Sequence, residues 1–480
     1  MIADLKPYPE TKESGLPWIG DIPSHWETRR LRHASDMRVS NVDKHTKSTE
    51  TPVRLCNYVE VYKNERIRES TRFMEATASE DERVRFGIRK GDVLITKDSE
   101  QWNDIGVPAL VEFEAPNLVC GYHLAILRPR PSLHGPFLHR ALECHFIAAQ
   151  FHVEANGVTR YGLSHGAIQG VAIPLPPLSE QAAIVRFLDW ANGRLERAIR
   201  AKRKVIALLH EQKQAIIHKA VTQGLDPNVP KRDSGVPWLG EIPAHWEVVQ
   251  LRQCTSFGPK NGTSPQAAES GGVLSLSISA VRDGVVTVEG NEKLVQFDRT
   301  LVGALRIQQG DILLVRGNGN VKLVGKCGLV RDCPDDCIYP DILMKIRTND
   351  RMVSAFMVSA INDAYVSSQV VTLAKTANGA FKVSGATVRS LLLVVPPYPE
   401  QEQVVASITH GTNKLTTAID RYEREITLLR EYRTRLVADV VTGKLDVREA
   451  ALLLPEEDVV LSPEDVGDEG EEPELEEVEG

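Results

Sequence analysis

Two long stretches of the chain carry core-type side chains at alternating intervals of four and three residues. The positions in the first stretch are Leu195, Ile199, Lys202, Ile206, Leu209, Lys213, Ile216 and Ala220. Those in the second are Leu415, Ile419, Tyr422, Ile426, Leu429, Arg433, Leu436 and Val440. A mean interval of about 3.5 residues is the period of a coiled coil, so the pattern predicts two helices that bury this stripe against each other.

Each predicted helix follows a pair of prolines, at 176–177 and 396–397. We expect Asn192-Gly193 to loosen or interrupt the first helix. If each region between the helices is a compact domain, its two ends lie near one another, so the helices are predicted to run antiparallel. The alternative is that the two amphipathic helices pack on separate cores.

The chain contains an internal repeat with a period of 220 residues. Residues 14–33 and 234–253 are identical at 12 of 20 positions, including Pro-Trp, Ile-Pro and His-Trp-Glu. A second echo pairs the Pro-Pro-x-x-Glu-Gln segments that begin at Pro176 and Pro396. Such self-similarity indicates a duplicated architecture.

The segments between these echoes differ far more between the two copies. A duplicated catalyst would keep its reactive residues in both copies, whereas a duplicated reader of two different targets would keep its scaffold and vary its contact loops. The pattern therefore favours recognition over chemistry.

Composition narrows the class of protein. At 480 residues the chain is expected to form several domains, and its seven cysteines lack a CxxC pair, which favours reduced thiols. Because there is no long apolar run and no signal-peptide pattern, we expect a cytoplasmic protein without a membrane segment. The formal net charge of −8 is dominated by residues 456–480, which hold 13 acidic and no basic residues; the remainder carries +5. We expect this acidic tail to be disordered.

The order of these motifs and their duplication resemble the specificity subunits of type I restriction-modification systems. The resemblance covers residues 14–446. It implies an α/β (α+β) fold with two tandem target recognition domains, separated by a long antiparallel two-helix coiled coil and related by a pseudo-twofold internal repeat. The implied segments are 14–175 and 234–395 for the recognition domains, 176–226 and 396–446 for the spacer helices, and 447–480 for the acidic tail.

The resemblance also implies a subunit that is not itself an enzyme and holds no cofactor. Such a subunit reads a bipartite, asymmetric site in double-stranded DNA, with one half for each recognition domain. Two methyltransferase subunits that bind S-adenosylmethionine dock on it, and two restriction-translocase subunits complete the restriction form. The helix over 194–221 is about 42 Å long at roughly 1.5 Å per residue, which is near the roughly 34 Å of one duplex turn.

Base readout needs donors and acceptors on exposed loops, and anchoring to phosphates needs Lys or Arg nearby. Three stretches of each copy supply such residues. In the first copy they are Arg38, Asn41, Lys44 and Lys47, then Lys97, Asp98, Ser99, Gln101 and Asn103, then Asn156, Arg160 and Tyr161. In the second they are Lys260, Asn261, Thr263 and Ser264, then Arg316, Asn318, Asn320 and Lys322, then Lys375, Asn378 and Lys382. For any single residue, a solvated loop side chain is the competing interpretation.

Four tryptophans belong to the repeated motif: Trp18, Trp26, Trp238 and Trp246. Stacking platforms for bases are one interpretation. Their identical repetition beside diverged loops favours core packing instead, and we predict that all four are buried.

Catalytic and metal sites are not indicated by the sequence. Val395-Pro396-Pro397-Tyr398 lacks the asparagine of an adenine methyltransferase signature, and the histidines near Cys144 miss zinc spacings, which favours structural thiols and surface histidines. Two other functions remain open. One is a stand-alone methyltransferase or nuclease with duplicated accessory domains, and the other is a scaffold that tethers proteins by its helices.

Overall fold

The computed structural model describes residues 5–236, 238–377 and 379–455. The chain divides into two compact units. Unit 1 holds the N-terminal part as far as Lys202 together with the segment that begins at Arg424, and unit 2 holds residues 203–423. Each unit therefore contains part of both predicted long helices. The predicted boundaries of the recognition domains stay predictions.

Unit 1 is built on a five-stranded sheet in the order Ser35–Val39, Leu124–Pro129, Val93–Thr96, Pro108–Val111 and Arg66–Ile67. The strand Val93–Thr96 is buried at all four positions, as a central strand requires. A three-stranded sheet joins Leu118–Cys120, Thr51–Cys56 and Met74–Ala78. The remaining strands pair two by two: Thr11–Glu13 with Asp21–Pro23, Glu27–Arg30 with Ala172–Leu175, and Asp98–Ser99 with Tyr161–Gly162.

Six shorter helices cover these sheets in the N-terminal part of unit 1. They are Leu31–Ala34, Tyr58–Lys63, Glu80–Phe86, Gly135–Glu143, His145–Glu154 and His165–Gly170. Local sequence explains their starts. Ser79, for example, accepts a hydrogen bond from the backbone of Glu82, and Glu82 bonds back to the backbone of Ser79, which forms a capping box.

Unit 2 repeats this plan with a six-stranded sheet. Its order is Thr255–Asn261, Leu343–Thr348, Ile312–Val315, Cys327–Val330, Val285–Val286 and Val281–Arg282. Smaller sheets join Lys231–Asp233 with Glu241–Pro243, Glu247–Gln250 with Leu392–Val395, Val273–Leu276 with Glu292–Val295, and Gly317–Asn318 with Ala380–Lys382 and Lys375–Ala377. Its shorter helices are Ser354–Asn362, Ala364–Leu373 and Gly385–Ser390, with 3₁₀ turns at Leu251–Cys254, Ile278–Ala280, Arg299–Leu301, Gly303–Leu305 and Val321–Leu323.

The first long helix spans Leu178–Gln223 and the second spans Tyr398–Val441. The expected interruption at Asn192-Gly193 is wrong, because the first helix continues through both residues. Burial explains this result. Ala191 and Leu195 on either side lie in the core of unit 1, and their burial outweighs the roughly 1 kcal/mol by which glycine disfavours a helix.

The predicted stripe is the least exposed line along the first helix. Between residues 201 and 215, the side chains that are not fully exposed are Lys202, Ile206, Leu209 and Lys213. Elsewhere on the predicted interface, Leu195, Ile199, Ile419, Ile426 and Leu436 are buried, while Ile216, Leu415 and Leu429 are half-buried.

Contacts inside each unit give the direction of the helices. In unit 1, Arg433 donates to Glu196 across 2.6 Å, and Lys202 pairs with Glu425. Residue numbers thus fall along the second helix as they rise along the first, so the two are antiparallel there. In unit 2, Gly411 lies against the side chain of Ile216, which follows the same numbering relation.

The repeated Glu and Trp residues close each unit. Glu180, in the first turn of the first long helix, accepts a hydrogen bond from Nε1 of Trp26 at 2.9 Å and pairs with the preceding histidine at 2.7 Å. Glu400 makes the same contacts with Trp246 at 3.1 Å and with its preceding histidine at 2.8 Å. The indole rings of Trp26 and Trp246 are 0% and 1% exposed, so the motif is structural.

The glutamine of the Pro-Pro-x-x-Glu-Gln motif also has a structural role. Gln181 donates to the carbonyl of Pro176 at 2.8 Å, and Gln401 donates to that of Pro396 at 2.9 Å. Both glutamines are fully buried. They fix the turn that leads from the last strand of each unit into the long helix.

Ordered structure extends into the segment that was predicted as a disordered acidic tail from residue 447. Helix Arg448–Leu452 lies inside that segment, and Val447 and Leu454 are buried in unit 1. Arg186 donates to the carbonyl of Leu454 at 2.7 Å. The acidic residues of the predicted tail, at 456–480, lie outside the described residues. In the described part of the chain, no helix combines the length and apolar composition needed to cross a membrane.

Candidate nucleic-acid interface

In unit 1, backbone hydrogen bonds bring all three predicted contact stretches together. The N–H of Leu163, two residues after Tyr161, donates to the carbonyl of Lys97 at 2.9 Å. The N–H of Lys97 donates to His123 at 2.8 Å, and that of Tyr122 donates to Val42 at 2.9 Å. We call the surface formed by residues 40–47, 97–103, 121–123 and 156–162 the first polar face.

The predicted side chains of the first polar face differ in exposure. Those that are exposed are Asn41, Lys44, Lys47, Gln101, Asn103, Asn156 and Arg160. Lys97, Asp98 and Tyr161 are half-buried. Ser99 is only 7% exposed, and its hydroxyl accepts from the N–H of Gln101 at 3.2 Å, so it supports the loop. Arg38 lies outside the face on strand Ser35–Val39 and donates to the carbonyl of Arg85 at 3.1 Å.

A fourth segment of this face, residues 121–123, was missed in the sequence. The side chain of His123 pairs through Nδ1 with Asp98 at 2.6 Å, and Lys97 lies 2.9 Å from the same carboxylate. Burial alone would raise the pKa of Asp98, but the hydrogen bonds from Lys97 and His123 lower it below its ordinary value. Asp98 is therefore an ionised carboxylate between two partners.

Unit 2 places its predicted stretches on a matching frame. The backbone N–H of Arg316 donates to the carbonyl of Ile342 at 2.8 Å, and the backbone N–H of Val383 donates to the carbonyl of Arg316 at 2.9 Å. The N–H of Thr263 donates to Tyr339 at 3.0 Å. We call the surface formed by residues 260–264, 316–322, 339–342 and 375–382, apart from 378, the second polar face.

Most predicted side chains of the second polar face are exposed. These are Lys260, Asn261, Ser264, Asn320, Lys322, Lys375 and Lys382. Thr263, Arg316 and Asn318 are half-buried, and Asn378 lies outside the described residues. Here the acidic group is Asp341, which accepts from Ser264 at 2.7 Å and lies 3.7 Å from Arg316.

The two faces share a backbone frame but carry different side chains. Lys97 and Arg316 occupy equivalent backbone positions. Each donates its N–H to a carbonyl in the loop before a sheet strand, that of His123 or that of Ile342. Each also accepts a hydrogen bond at its own carbonyl from the residue that follows the last contact stretch, Leu163 or Val383. The residue after Lys97 is Asp98, whereas the residue after Arg316 is Gly317. The same scaffold thus presents two different sets of donors and acceptors.

The prediction that all four repeated tryptophans are buried is half wrong. Trp26 and Trp246 lie in the cores, but Trp18 and Trp238 are 46% and 58% exposed. Each exposed tryptophan lies in a turn between glycines with positive φ, such as Gly15 and Gly20 at 74° and 73°. Repetition of a residue does not distinguish a buried scaffold position from an exposed one.

The predicted surface position of His139 is also wrong, because its side chain is 0% exposed. Among the residues that the structure describes, Nδ1 and Nε2 of His139 have no hydrogen-bond partner. Glu65, His139 and Glu143 bring possible metal-ligand atoms within 4.8 Å of one another. The guanidinium of Arg140 already donates to both carboxylates, at 2.5 and 2.6 Å, so a positive charge fills this position. A second cation would be repelled there.

The cysteine thiols are structural in character. Cys120 and Cys327 are fully buried, and burial raises the pKa of both thiols. Reactive thiols need the opposite shift, since the thiolate is the nucleophile.

Comparison with known proteins agrees with this architecture. Residues 39–203 match the family model described as the type I restriction modification DNA specificity domain. The specificity subunit of the type I restriction enzyme EcoKI from Escherichia coli K12 is 23% identical over 309 residues, which are 64% of this chain and 64% of that protein. The putative MjaX specificity subunit of Methanocaldococcus jannaschii is 22% identical over 438 residues, or 90% of this chain and 96% of that protein.

The fold has a counterpart among solved structures. A chain solved in work on complex assembly and conformational transition of the type I restriction-modification system superimposes with a TM-score of 0.60 at 16% identity. The match covers 88% of this chain and 99% of that chain. The predicted fold class, two α/β domains with an antiparallel pair of long helices, is confirmed. Over most of its length the chain is therefore similar to the specificity subunits of type I restriction-modification systems.

Proposed function

We propose that this chain reads DNA sequence for a type I restriction-modification complex, with the first polar face reading one half of a bipartite, asymmetric site and the second reading the other. The observation that supports this function is the pair of matching backbone frames with different side chains. A symmetric target would need the same groups twice, whereas Asp98 and His123 in one face stand against Gly317 and Ile342 in the other.

The side chains of both faces suit DNA. Exposed lysines and arginines such as Lys44, Arg160, Lys260 and Lys382 provide charges for phosphates. Amide and hydroxyl groups beside them provide the donors and acceptors that base edges require. Phosphate contacts orient the protein on the duplex, and the groups between them discriminate sequence.

The chain supplies recognition, and its partners supply catalysis. We assign methylation to two methyltransferase subunits that bind S-adenosylmethionine, and cleavage to two restriction-translocase subunits. All of these meet double-stranded DNA in the cytoplasm. The chain itself takes no cofactor in this scheme.

The test is to co-express the full chain with its methyltransferase partner and to map methylated adenines by single-molecule sequencing. We expect one split motif with a fixed gap. Replacing Lys97 and Gln101 with alanine should alter only one half of the motif, and replacing Arg316 and Asn320 should alter only the other. Methylation without a split motif contradicts the proposal, as does turnover by the purified chain alone with S-adenosylmethionine or magnesium.

A further inference from the structure

The loop between strands Leu118–Cys120 and Leu124–Pro129 holds a histidine in an unusual backbone conformation. His123 has a φ of 70°, which is the left-handed region that few residues other than glycine adopt. The neighbouring backbone is bonded on both sides, because Tyr122 donates to Val42 at 2.9 Å and Lys97 donates to the carbonyl of His123 at 2.8 Å. The fold therefore holds this side chain in one place against its intrinsic preference.

Asp98 determines the orientation of the imidazole. Its carboxylate lies 2.6 Å from Nδ1 of His123 and is kept ionised by Lys97. An ionised carboxylate only accepts hydrogen bonds, so Nδ1 carries the proton. The other ring nitrogen, Nε2, is on the side of the ring away from this bond, and within the described part of the chain it has no hydrogen-bond partner.

The ring is held by a neighbour as well as by the carboxylate. The ring centroid of Tyr122 lies 4.0 Å from that of His123. On the Tyr122 ring in turn, Nζ of Lys44 lies 5.9 Å from the centroid. About a quarter of the histidine side chain is exposed. A polar atom that is fixed before binding loses little entropy on binding and discriminates well between correct and incorrect partners.

The second polar face lacks this arrangement. Gly317 follows Arg316 where Asp98 follows Lys97, and Ile342 accepts the N–H of Arg316 where His123 accepts that of Lys97. The pair therefore belongs to the part of the repeat that differs between the two faces, and not to the shared scaffold.

We infer that His123 is a specificity-determining residue, whose Nε2 atom makes a hydrogen bond to a base edge in the half-site that the first polar face reads. This inference rests on the proposed function. Asp98 is a positioning residue, because it acts through the imidazole. Loss of either group should relax the recognised sequence at one shared position.

The test compares complexes of the full chain with its methyltransferase partner, in wild-type form and as His123→Asn, His123→Gln and Asp98→Asn variants. Asparagine tolerates positive φ, so His123→Asn keeps the backbone while it shortens the side chain. His33→Gln is the matched control, since His33 is an exposed histidine of the same unit outside the polar face. Methylated adenines are mapped for each complex, and thermal unfolding of each is recorded.

We expect His123→Asn to lower the preference for the wild-type base roughly 10- to 100-fold at one position of one half-site. Asp98→Asn should relax the same position less strongly, and His33→Gln should leave the motif intact. An unchanged motif in both His123 variants overturns the inference, and so does a uniform loss of methylation at all sites in both. If the wild-type complex itself shows no split motif, the proposed function fails independently of His123.

Discussion

Glu180 and Trp26 are 154 residues apart in sequence, and the carboxylate of Glu180 accepts the indole N–H of Trp26 at 2.9 Å. Both groups are buried in unit 1. Tyr8 also donates its hydroxyl to Glu180 at 3.0 Å, and burial together with Glu180 raises the pKa of this tyrosine. This single carboxylate thus connects the N-terminal segment that contains Tyr8, the repeated tryptophan motif and the first turn of the first long helix.

Replacement of the buried tryptophan should weaken unit 1 far more than replacement of the exposed one. We expect Trp26→Ala to lower the free energy of unfolding by about 3–5 kcal/mol, because it leaves a cavity and an unpaired Glu180. Trp18→Ala is the matched control and should change it by no more than about 0.5 kcal/mol. Urea unfolding measures both. Equal effects would contradict the structural role assigned to Trp26.

The stripe between the long helices should be sensitive only where it is buried. Ile199 is 1% exposed and Leu208, on the same helix, is 54% exposed. We expect Ile199→Ala to cost about 2–4 kcal/mol in unfolding free energy and Leu208→Ala to cost no more than about 0.5 kcal/mol. Thermal and urea unfolding of the two variants provide the comparison. A larger loss for Leu208→Ala would place the stripe on the wrong side of the helix.

Arg140 should make unit 1 sensitive to acid. It donates to Glu65, Glu143 and Asp189 while only 3% of its own side chain is exposed. Burial alone would raise the pKa of Glu65, but Arg140 lowers it to about 2. A lowered folded-state pKa adds stability above the ordinary value of about 4.5, and this stability is lost as pH falls towards 2.

We therefore expect Arg140→Met to lower the free energy of unfolding by about 1–3 kcal/mol at neutral pH, because Glu65, Glu143 and Asp189 lose their hydrogen bonds to this buried cation, while Arg66 still pairs with Asp189. The difference in unfolding free energy between this variant and the wild type should become smaller between pH 4.5 and pH 2, because the carboxylates take up protons there. Arg130→Met is the control, since Arg130 pairs with Asp36 on the surface. Urea unfolding curves recorded across this pH range measure the difference. A difference in unfolding free energy that does not change with pH would contradict the stabilising role of the ion pairs of Arg140.

The exposed cations at the rims of the polar faces should act on affinity and not on sequence. We expect Arg160→Ala and Lys382→Ala each to weaken DNA binding by the assembled complex for all sequences alike. The slope of log affinity against log salt should decrease by about one per variant, since one phosphate contact is lost. Filter binding at several salt concentrations measures this slope. A changed methylation motif would instead make either residue a base contact.

The long helices could be predicted because a helix that is buried on one side has apolar residues at regular intervals of three and four positions in its sequence. Lys202, Ile206, Leu209 and Lys213 recur at heptad intervals, and these same residues are the less exposed ones. Two errors have physical causes. The predicted break at Asn192-Gly193 rested on the low helix propensity of glycine and took no account of the buried residues on either side. The predicted burial of Trp18 rested on the repetition of the motif alone.

The contact residues were harder to predict, since loops come together through hydrogen bonds that leave no periodic pattern. Lys97 was identified because lysine suits phosphate, and the structure brings it to the polar face. His123 was missed because the equivalent residue, Ile342, differs in type, so the repeat contains no echo of it. Its positive φ depends on backbone bonds to Lys97 and on the bond from Tyr122 to Val42, which the sequence does not reveal.

Gly443 follows the second long helix and lies close to Pro23 and Trp26 of unit 1. Unit 1 is therefore completed by a segment that is synthesised only after residues 203–423 of unit 2. At about 5–20 residues per second, the ribosome needs roughly 10–50 s to make residues 203–443. During that interval the nascent chain exposes the apolar surface that later meets the second helix, so unit 1 is open to chaperones and proteases until residue 443 has been made.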